Sequence, residues 1–475
     1  MSDPVSPLST LRSAFAALSL LGLAGAPLAQ EPAARPNVVV ILADDLGYQD
    51  LGCYGHPELR TPVLDRLAAQ GVRLTDYHAG ATVCTPSRMA LLSGCYPSRV
   101  GWTRGVLGYG MELDQGLSAE VPTLAELFQA AGYATGLSGK WHLGHAPEQR
   151  PHRRGFDEAT YLALSNNQTT QLWRGDEVVQ DPFENRLLSE QLTQEAVRFV
   201  RAHAQEPFFL YLPFTAPHFP VEAHPDWEQR SSHGTYGDVV EELDARVGEL
   251  LAVLEELELS ERTLVVFTSD NGPNPREAAS SLPFRGEKWS ALEGGTRVPA
   301  LFAWPGVLPA GARCDSLVSA LDLLPTLCAA AGVRRPAQPR IDGLNVWDEL
   351  LGRAQAPVRS ELLYWHGMEP EPQAIRVGDW KLFFDREHAL KGSGTARATP
   401  AQRERIAPYR AALDPEGEDP PFLFELSSDP GETRDRSEEF PERVAALRAR
   451  ADELLAELRA SSLMRPEEPA PADER

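Results

Sequence analysis

Two apolar runs that lie far apart in the chain constrain its fold more than any other feature. Asn37 to Ala43 read NVVVILA, and Thr263 to Thr268 read TLVVFT. Continuous runs rich in β-branched residues are typical of strands that are covered on both faces, as in a parallel sheet between helices. At 475 residues the chain is long enough to bury such a sheet. The two runs therefore predict two buried strands of an α/β protein.

Oxygen-bearing side chains follow both runs where each strand is predicted to end. Asp44 and Asp45 follow the first run, and Asp270 and Asn271 follow the second after Ser269. Because ligands of open α/β sheets bind at the carboxyl ends of the strands, these side chains can converge on one site. A set of hard oxygen donors without a soft donor suits Ca²⁺, and Mg²⁺ less well. The sequence therefore predicts a calcium site at this edge of the sheet.

Helical and strand patterns alternate between the two runs. Helical patterns lie at 124–131, 188–202 and 239–257, and short apolar strands lie at 134–137 and 208–212. This alternation is the rhythm of a layered sheet. It predicts an α/β fold with a large mixed, mostly parallel β-sheet that is sandwiched by helices.

The pattern changes after about Asp342. Antiparallel strand signals lie at 374–377, 380–384 and 422–426, and a final helix is predicted from about 441 to 458. These signals predict a smaller C-terminal α+β subdomain built on an antiparallel sheet. The predicted division is a signal peptide at 1–29, a catalytic domain at 36–345, a C-terminal subdomain at 346–462 and a disordered tail at 463–475.

The N-terminal segment and the net charge bear on location and partners. Arg12 precedes an apolar or small run from Ala14 to Ala26, with a cleavage site near Ala26 or Ala29, which is the pattern of a secretory signal peptide. No later segment is apolar and long enough to span a bilayer. A formal charge of −23 argues against a nucleic-acid partner. We expect a secreted or periplasmic protein, with a lysosomal location as the alternative.

The strongest chemical signal in the chain is Cys84-Thr85-Pro86-Ser87-Arg88. Pro86 suits a first helical turn, which places Cys84 at a helix N-terminus where unpaired N–H groups favour an anion. Arg88 falls on the same helix face, within reach of a modified side chain or a bound sulfate. With the following MALLSG stretch, the motif resembles the signature of formylglycine-dependent (type I), arylsulfatase-like sulfatases of the alkaline phosphatase superfamily. In that family C-x-P-x-R directs oxidation of the cysteine to an aldehyde.

Three further blocks resemble the same family: GKWHLG at 139–144, TAPH at 215–218 and RGEKW at 285–289. The resemblance implies catalytic roles for Cys84, Arg88, Lys140, His142, His218 and Lys288. It implies substrate binding by Lys140, His218, Lys288 and Ser165. It implies Ca²⁺ ligation by Asp44, Asp45, Asp270, Asn271 and the modified Cys84.

The resemblance also implies a mechanism and its partners. The hydrated aldehyde at residue 84 attacks a sulfate monoester of a sulfated carbohydrate or an aryl sulfate. Either His218 or Lys288 protonates the leaving alcohol, and His142 is the base that allows sulfate to leave. One Ca²⁺ per chain and the 3-oxoalanine (formylglycine) form of Cys84 are the expected cofactors. A formylglycine-generating enzyme is the expected partner during maturation.

Two other functions stay open at this point. The first is a phosphodiesterase or phosphonate hydrolase of the same superfamily, although these relatives commonly place a His where Asn271 stands. The second is a non-catalytic protein that binds sulfated glycans, although the intact motif at Cys84 argues against it. Loops near 102–111 and 168–173 are expected to select the substrate. The sequence leaves open which sulfate ester is cleaved and whether the action is exo or endo. It also leaves open the oligomeric state and the pairing of Cys53, Cys95, Cys314 and Cys328.

Lysine is rare in this chain. Of 45 basic residues only four are lysines, at positions 140, 288, 381 and 391. Because Arg fills almost every other cationic position, Lys140 and Lys288 indicate sites that need a compact cation able to give a proton. We expect substitution by Arg at either position to lower activity far more than the same change at Lys381.

Overall fold

The main sheet is built around the strand Asn37–Ala43, which is buried along its whole length. The computed structural model describes residues 35–102, 105–335, 337, 340–390, 400, 404, 407 and 421–461. The predicted signal peptide and C-terminal tail lie outside the described residues. Within the described ranges, no helix is both long enough and apolar enough to cross a membrane.

Ten strands form this sheet, and the five central strands are parallel to one another. Strands at both edges include antiparallel pairs, so the sheet is mixed. In spatial order the strands are Ala312–Cys314, Val72–Leu74, Ala300–Ala303, Thr263–Ser269, Asn37–Ala43, Phe208–Pro213, Ala134–Lys140, Glu158–Leu162, Leu172–Arg174 and Glu177–Gln180.

Helices cover both faces of the sheet. Alternate residues of the central strand belong to two different cores, with Val38 and Val40 in one and Val39 and Ile41 in the other. The first core includes helices Cys84–Ser93, Leu124–Ala130 and Leu323–Ala331. The second includes helices Pro62–Gln70, Leu188–Ala202 and Gly234–Glu256. The run NVVVILA is therefore apolar throughout because neither of its faces meets water.

A second sheet lies in the C-terminal region. Its four antiparallel strands are Glu361–Tyr364, Ala374–Val377, Trp380–Phe383 and Phe422–Glu425, in that order. The helix Pro441–Ala460 contributes Leu447 and Ala451 to the core that covers the first face of the main sheet, so the two sheets share a core. Shorter helices lie at Glu293–Thr296, Trp347–Leu350 and Arg386–Leu390. The predicted fold class is confirmed, and the domain boundaries stay a prediction.

Candidate active site

The carboxyl ends of the two predicted strands meet in the structure. The strands are parallel neighbours, with Ala43 opposite Ser269. The backbone N–H of Asp45 donates to Asp270 Oδ1 at 3.2 Å, and Asn271 Nδ2 donates to Asp45 Oδ1 at 2.7 Å. The side chains that follow the two strands therefore form one cluster, as the sequence predicts.

The cluster offers oxygen atoms that suit a hard cation. Asp44, Asp45, Asp270 and Asn271 are all buried. Asp44 Oδ1 and Asn271 Oδ1 accept no hydrogen bond from any residue that the structure describes. Buried oxygens without a donor are uncommon in folded proteins, and each requires a reason. A site for Ca²⁺ supplies that reason, so the residues present fit this ion.

Two lysines pair with the first two carboxylates. Lys140 Nζ lies 2.6 Å from Asp44 Oδ2, and both residues are fully buried. Lys288 Nζ lies 2.8 Å from Asp45 Oδ2. Two of the four lysines in the chain thus place an ammonium group directly against the cluster. A compact cation at the end of a flexible stem fits such a contact.

Arg88 pairs with the third carboxylate. Its Nε and one terminal nitrogen donate to Asp270 Oδ2 at 2.9 and 2.8 Å, and its other terminal nitrogen donates to the Lys140 carbonyl at 2.8 Å. With the two lysines, three cations balance three carboxylates. A bound divalent cation would leave an excess of positive charge, which favours an anionic substrate.

Charge is not evenly shared among the carboxylates. Burial alone would raise the pKa of Asp44, but Lys140 and His218 together hold that pKa well below its usual range. Burial and the adjacent Asp44 raise the pKa of Asp270 to about 6, against the effect of Arg88. Negative charge is therefore more stable at Asp44, which faces a lysine at 2.6 Å, than at Asp270.

Cys84 begins a buried helix next to this cluster. The helix Cys84–Ser93 follows Val83, which is extended at φ −149° and ψ 160°. Burial raises the pKa of the Cys84 thiol, while Lys140 and Lys288 lower it. The encoded thiol is therefore protonated at neutral pH and is a weak nucleophile. The predicted position of Cys84 at a helix N-terminus is observed.

An open cavity of about 690 Å³ reaches Cys84. Residues from several segments line it: Cys84, Val106, Gly108, Tyr109, His142, Ser165, Asn167, Gln168, His218, Phe219, Asn274, Pro275, Arg276, Lys288, Trp289, His366 and Met368. Arg88 and Lys140 are fully buried and are not among the described lining residues. The predicted site residues thus divide into a lining around Cys84 and a buried layer of charges.

His142 is held as a neutral base in this lining. Its Nε2 lies 3.1 Å from the Leu107 carbonyl oxygen, which can only accept, so Nε2 carries the proton. Its Nδ1 is buried and has no hydrogen-bond partner among the described residues. Burial and the nearby Lys140 lower the pKa of His142 well below its usual value. The unprotonated Nδ1 is therefore free to take a proton.

His218 is oriented by its neighbours in the same way. Its Nδ1 donates to the Phe219 carbonyl at 2.6 Å and also faces Asn166 Oδ1 at 3.1 Å. Its Nε2 lies 3.7 Å from Asp45 Oδ2. Burial, with Lys288 adding to it, lowers the pKa of His218 to about 4. Asp45 and His218, together with Asp44, lie close enough to hold one ion.

Three non-glycine residues of the site have left-handed backbone conformations. The φ angles are 69° at Asp45, 59° at His142 and 78° at Trp289. Such conformations are unfavourable for side chains other than glycine and persist where the surrounding structure fixes them. Trp289 is fixed in part by its N–H, which donates to the Thr82 carbonyl at 3.0 Å.

Ser165 is buried and lines the cavity, and its role in substrate binding stays a prediction. Sequence reasoning missed Asn166, the adjacent residue that orients His218. It also missed Arg276, His366 and Met368 in the lining. The position of Arg276 shortly after the second strand end was a usable signal. The sequence offers no comparable signal for the two residues from the C-terminal region.

Comparisons with known proteins identify the family. The chain matches the family model "Sulfatase" over residues 36–333 and the model "C-terminal region of aryl-sulfatase" over residues 358–470. The chain belongs to the sulfatase family. Its activity class is therefore that of a sulfuric ester hydrolase.

Similar proteins cover most of this sulfatase. Arylsulfatase A of Homo sapiens is 38% identical over 448 residues, which cover 87% of this chain and 85% of that protein. N-acetylgalactosamine-6-sulfatase of Canis lupus familiaris is 35% identical over 454 residues, which cover 87% and 82%. The crystal structure of a sulfatase from a Pseudoalteromonas species matches with a TM-score of 0.77 at 26% identity, covering 90% of this chain and 91% of that one.

Proposed function

We propose that this sulfatase hydrolyses the sulfate monoester of a sulfated carbohydrate or an aryl sulfate, with formylglycine at residue 84 and one Ca²⁺ as cofactors. The observation that carries the proposal is the position of Cys84, at a helix N-terminus on an open cavity and within electrostatic range of Asp44 and Asp270. The relatives named above include an aryl sulfatase and a sugar sulfatase, which supports both substrate classes.

Formylglycine would supply the attacking hydroxyl as its aldehyde hydrate, and Ca²⁺ held by Asp44, Asp45, Asp270 and Asn271 would polarise the sulfate oxygens. The encoded thiol is a poor nucleophile in this buried position, which favours a modified side chain there. We infer that a formylglycine-generating enzyme acts on the chain during maturation. We place the mature protein in the periplasm or outside the cell, on the basis of the signal-peptide pattern at 1–29.

The side chains around residue 84 divide the remaining work. Lys288, His218 and Ser165 line the cavity, so they can contact the oxygens of the sulfate ester. Lys140 and Arg88 lie in the buried layer, where they fix the cluster and offset its charge, and substrate binding by Lys140 stays a prediction. Preorganised positive groups of this kind stabilise charge that develops on the leaving oxygen.

Two proton movements are required, and the lining provides groups for both. Lys288, or His218 when it is protonated, donates a proton to the leaving alcohol, since both reach the cavity beside Asp45. His142 accepts a proton through Nδ1, because its Nε2–H is directed at the Leu107 carbonyl. With formylglycine at residue 84, loss of this proton would let sulfate leave as the aldehyde forms again.

Mass spectrometry of the peptide that contains residue 84 tests the proposal. The chain is expressed with and without a formylglycine-generating enzyme, and sulfatase activity is measured on an aryl sulfate. We expect activity to rise with the fraction of aldehyde at residue 84, and Cys84→Ser to remain folded with little or no turnover in a host that does not oxidise serine. Full activity from a preparation that carries only the thiol would refute the proposed nucleophile.

A further inference from the structure

The cavity extends well beyond the space that a sulfate group needs. Its volume of about 690 Å³ lies within the range of sites that enclose a whole small molecule. The end that holds Cys84 also holds His142, His218 and Lys288. The exposed lining residues, which mark the outer part, come from four separate segments: Gly108, Tyr109, Asn167, Phe219, Pro275 and Arg276. This outer part has room for the rest of a substrate.

Acidic side chains are absent from the described lining of this cavity. None of its 17 lining residues is Asp or Glu, although these two types make up 68 of the 475 residues in the chain. The lining does include two cations, Lys288 and Arg276. On a protein with a net charge of −23, a cavity free of carboxylates favours anionic ligands.

Arg276 places one of these cations at the outer part of the cavity. The Arg276 side chain is exposed, and the backbone N–H of this residue donates to Asn274 Oδ1 at 3.0 Å. No ion pair or side-chain hydrogen bond joins the guanidinium to a residue in the described part of the chain. Many other arginines here pair with carboxylates, as Arg201 does with Glu256. A planar guanidinium left without a partner is suited to a carboxylate or a sulfate of the ligand.

Aromatic rings flank the same opening. Tyr109 is 60% exposed and Phe219 is 49% exposed, and both line the cavity. The ring of Tyr109 lies 6.0 Å from that of Trp289, between centroids, at an interplanar angle of 66°. Exposed rings beside a cavity provide apolar contact area on rigid side chains, and their faces suit the C–H face of a sugar.

We propose that the outer part of the cavity binds an acidic saccharide unit, which carries a second anionic group besides the sulfate ester that is cleaved. The second group, a carboxylate or another sulfate, contacts Arg276, and the sugar ring packs on Tyr109 and Trp289. This inference rests on the proposed sulfatase function and narrows its substrate class. It also explains why the lining contains an exposed arginine but no acidic side chain that could pair with it.

The proposal is tested by measuring kcat/KM on three substrates for the parent enzyme and for a variant that removes the charge of Arg276. Arg276→Gln is compared with Arg66→Gln, a control at an exposed arginine on the helix Pro62–Gln70. The substrates are an aryl sulfate, a neutral sugar monosulfate and a disaccharide that carries a sulfate ester and a uronate or second sulfate. We expect Arg276→Gln to lower kcat/KM on the acidic disaccharide roughly tenfold more than on the other two, mainly through KM, as loss of one charge-assisted contact predicts. Arg66→Gln should match the parent enzyme on all three.

Equal effects of Arg276→Gln on all three substrates would overturn the proposal, as would a parent enzyme that prefers the neutral monosulfate. Added salt provides a second measurement, because screening should reduce the preference for the acidic disaccharide in the parent enzyme more than in Arg276→Gln. The aryl sulfate separates the two proposals. An enzyme with aldehyde at residue 84 that cleaves no sulfate ester contradicts the proposed function itself, whereas aryl sulfate turnover without a preference for acidic sugars contradicts only this inference.

Discussion

Replacing Lys381 by Met should destabilise this sulfatase, and the loss should grow as the pH rises. Lys381 is fully buried, with Nζ 3.0 Å from Glu293 Oε1, 3.0 Å from Glu432 Oε1 and 4.2 Å from the centre of the Tyr364 ring. Met has a similar length but no charge. The substitution therefore leaves two buried carboxylates facing each other without the cation between them.

The size of the loss in stability follows from the burial of Lys381, Glu293 and Glu432. Removing one partner of a buried ion pair destabilises a protein by about 3–5 kcal/mol, because the remaining charge stays out of water. Glu293 keeps Arg297 at 3.0 Å as a second partner, so the penalty concentrates on Glu432. We expect the full penalty only where Glu432 is ionised.

The pH dependence follows from the direction of the Glu432 shift. Burial raises the pKa of Glu432 to about 7, and Glu293 adds to the rise while Lys381 opposes it. Above about pH 4.5 the unfolded chain loses a proton that the folded protein keeps, so stability falls as the pH rises toward 7. Without Lys381 the pKa of Glu432 rises further, and this fall continues to higher pH. Each additional pH unit destabilises the variant by about 1.4 kcal/mol.

Thermal and denaturant unfolding at pH 5 and pH 8 measure the effect. Lys381→Met should show a deficit in the free energy of unfolding, relative to the parent, that is larger at pH 8 than at pH 5. The double variant Lys381→Met/Glu432→Gln should recover most of the deficit at pH 8, since a neutral amide needs no counter-charge. A deficit of the same size at both pH values, or a double variant no more stable than the single one, would show that lost packing dominates instead.

Two further predictions concern the site. Lys288→Arg should lower kcat/KM roughly a hundredfold to a thousandfold. If Lys288 is the acid, the loss should be larger on a sugar sulfate than on an aryl sulfate, because a phenolate leaving group needs little protonation. Equal losses on both substrates would assign the acid role to His218. Chelation should abolish activity, and Ca²⁺ should restore it better than Zn²⁺. Asn271→His should lower activity with little change in Tm. Metal analysis checks which ion is bound, and stoichiometric zinc that restores full activity would contradict the oxygen-donor argument.

The strands and the motif positions could be predicted from the sequence because each has a local cause. Asn37–Ala43 is apolar throughout because both of its faces are covered, so its pattern is visible without the fold. The helix predicted at 239–257 begins earlier, at Gly234. Its first turns include Tyr236, whose hydroxyl donates to Asp50 Oδ2 at 2.6 Å. That contact crosses 186 residues, so tertiary structure and not local propensity sets the start of the helix.

Partners within the site could not be predicted in the same way. The sequence places Arg88 on the face of Cys84, but the observed contacts of its guanidinium run to Asp270 and to the Lys140 carbonyl. Asp270 follows the strand Thr263–Ser269 and Lys140 ends the strand Ala134–Lys140, so nothing local to Arg88 encodes these contacts. Lys381 shows the converse limit, because its position outside the motifs gives no sign of its burial. Stability must therefore be measured alongside activity when Lys381→Arg is used as a comparator.

The C-terminal region has a physical reason to matter for catalysis. Arg285, three residues before Lys288, is buried and donates to the carbonyls of Gly431 and Glu432. The carboxylate of Glu432 in turn accepts from the backbone N–H of Glu293 at 2.7 Å. The segment that carries Lys288 is thus held on both sides by one turn of the C-terminal region. Because Lys288 must meet Asp45 within hydrogen-bonding distance, a loosened turn would displace the ammonium group without altering any residue of the cavity.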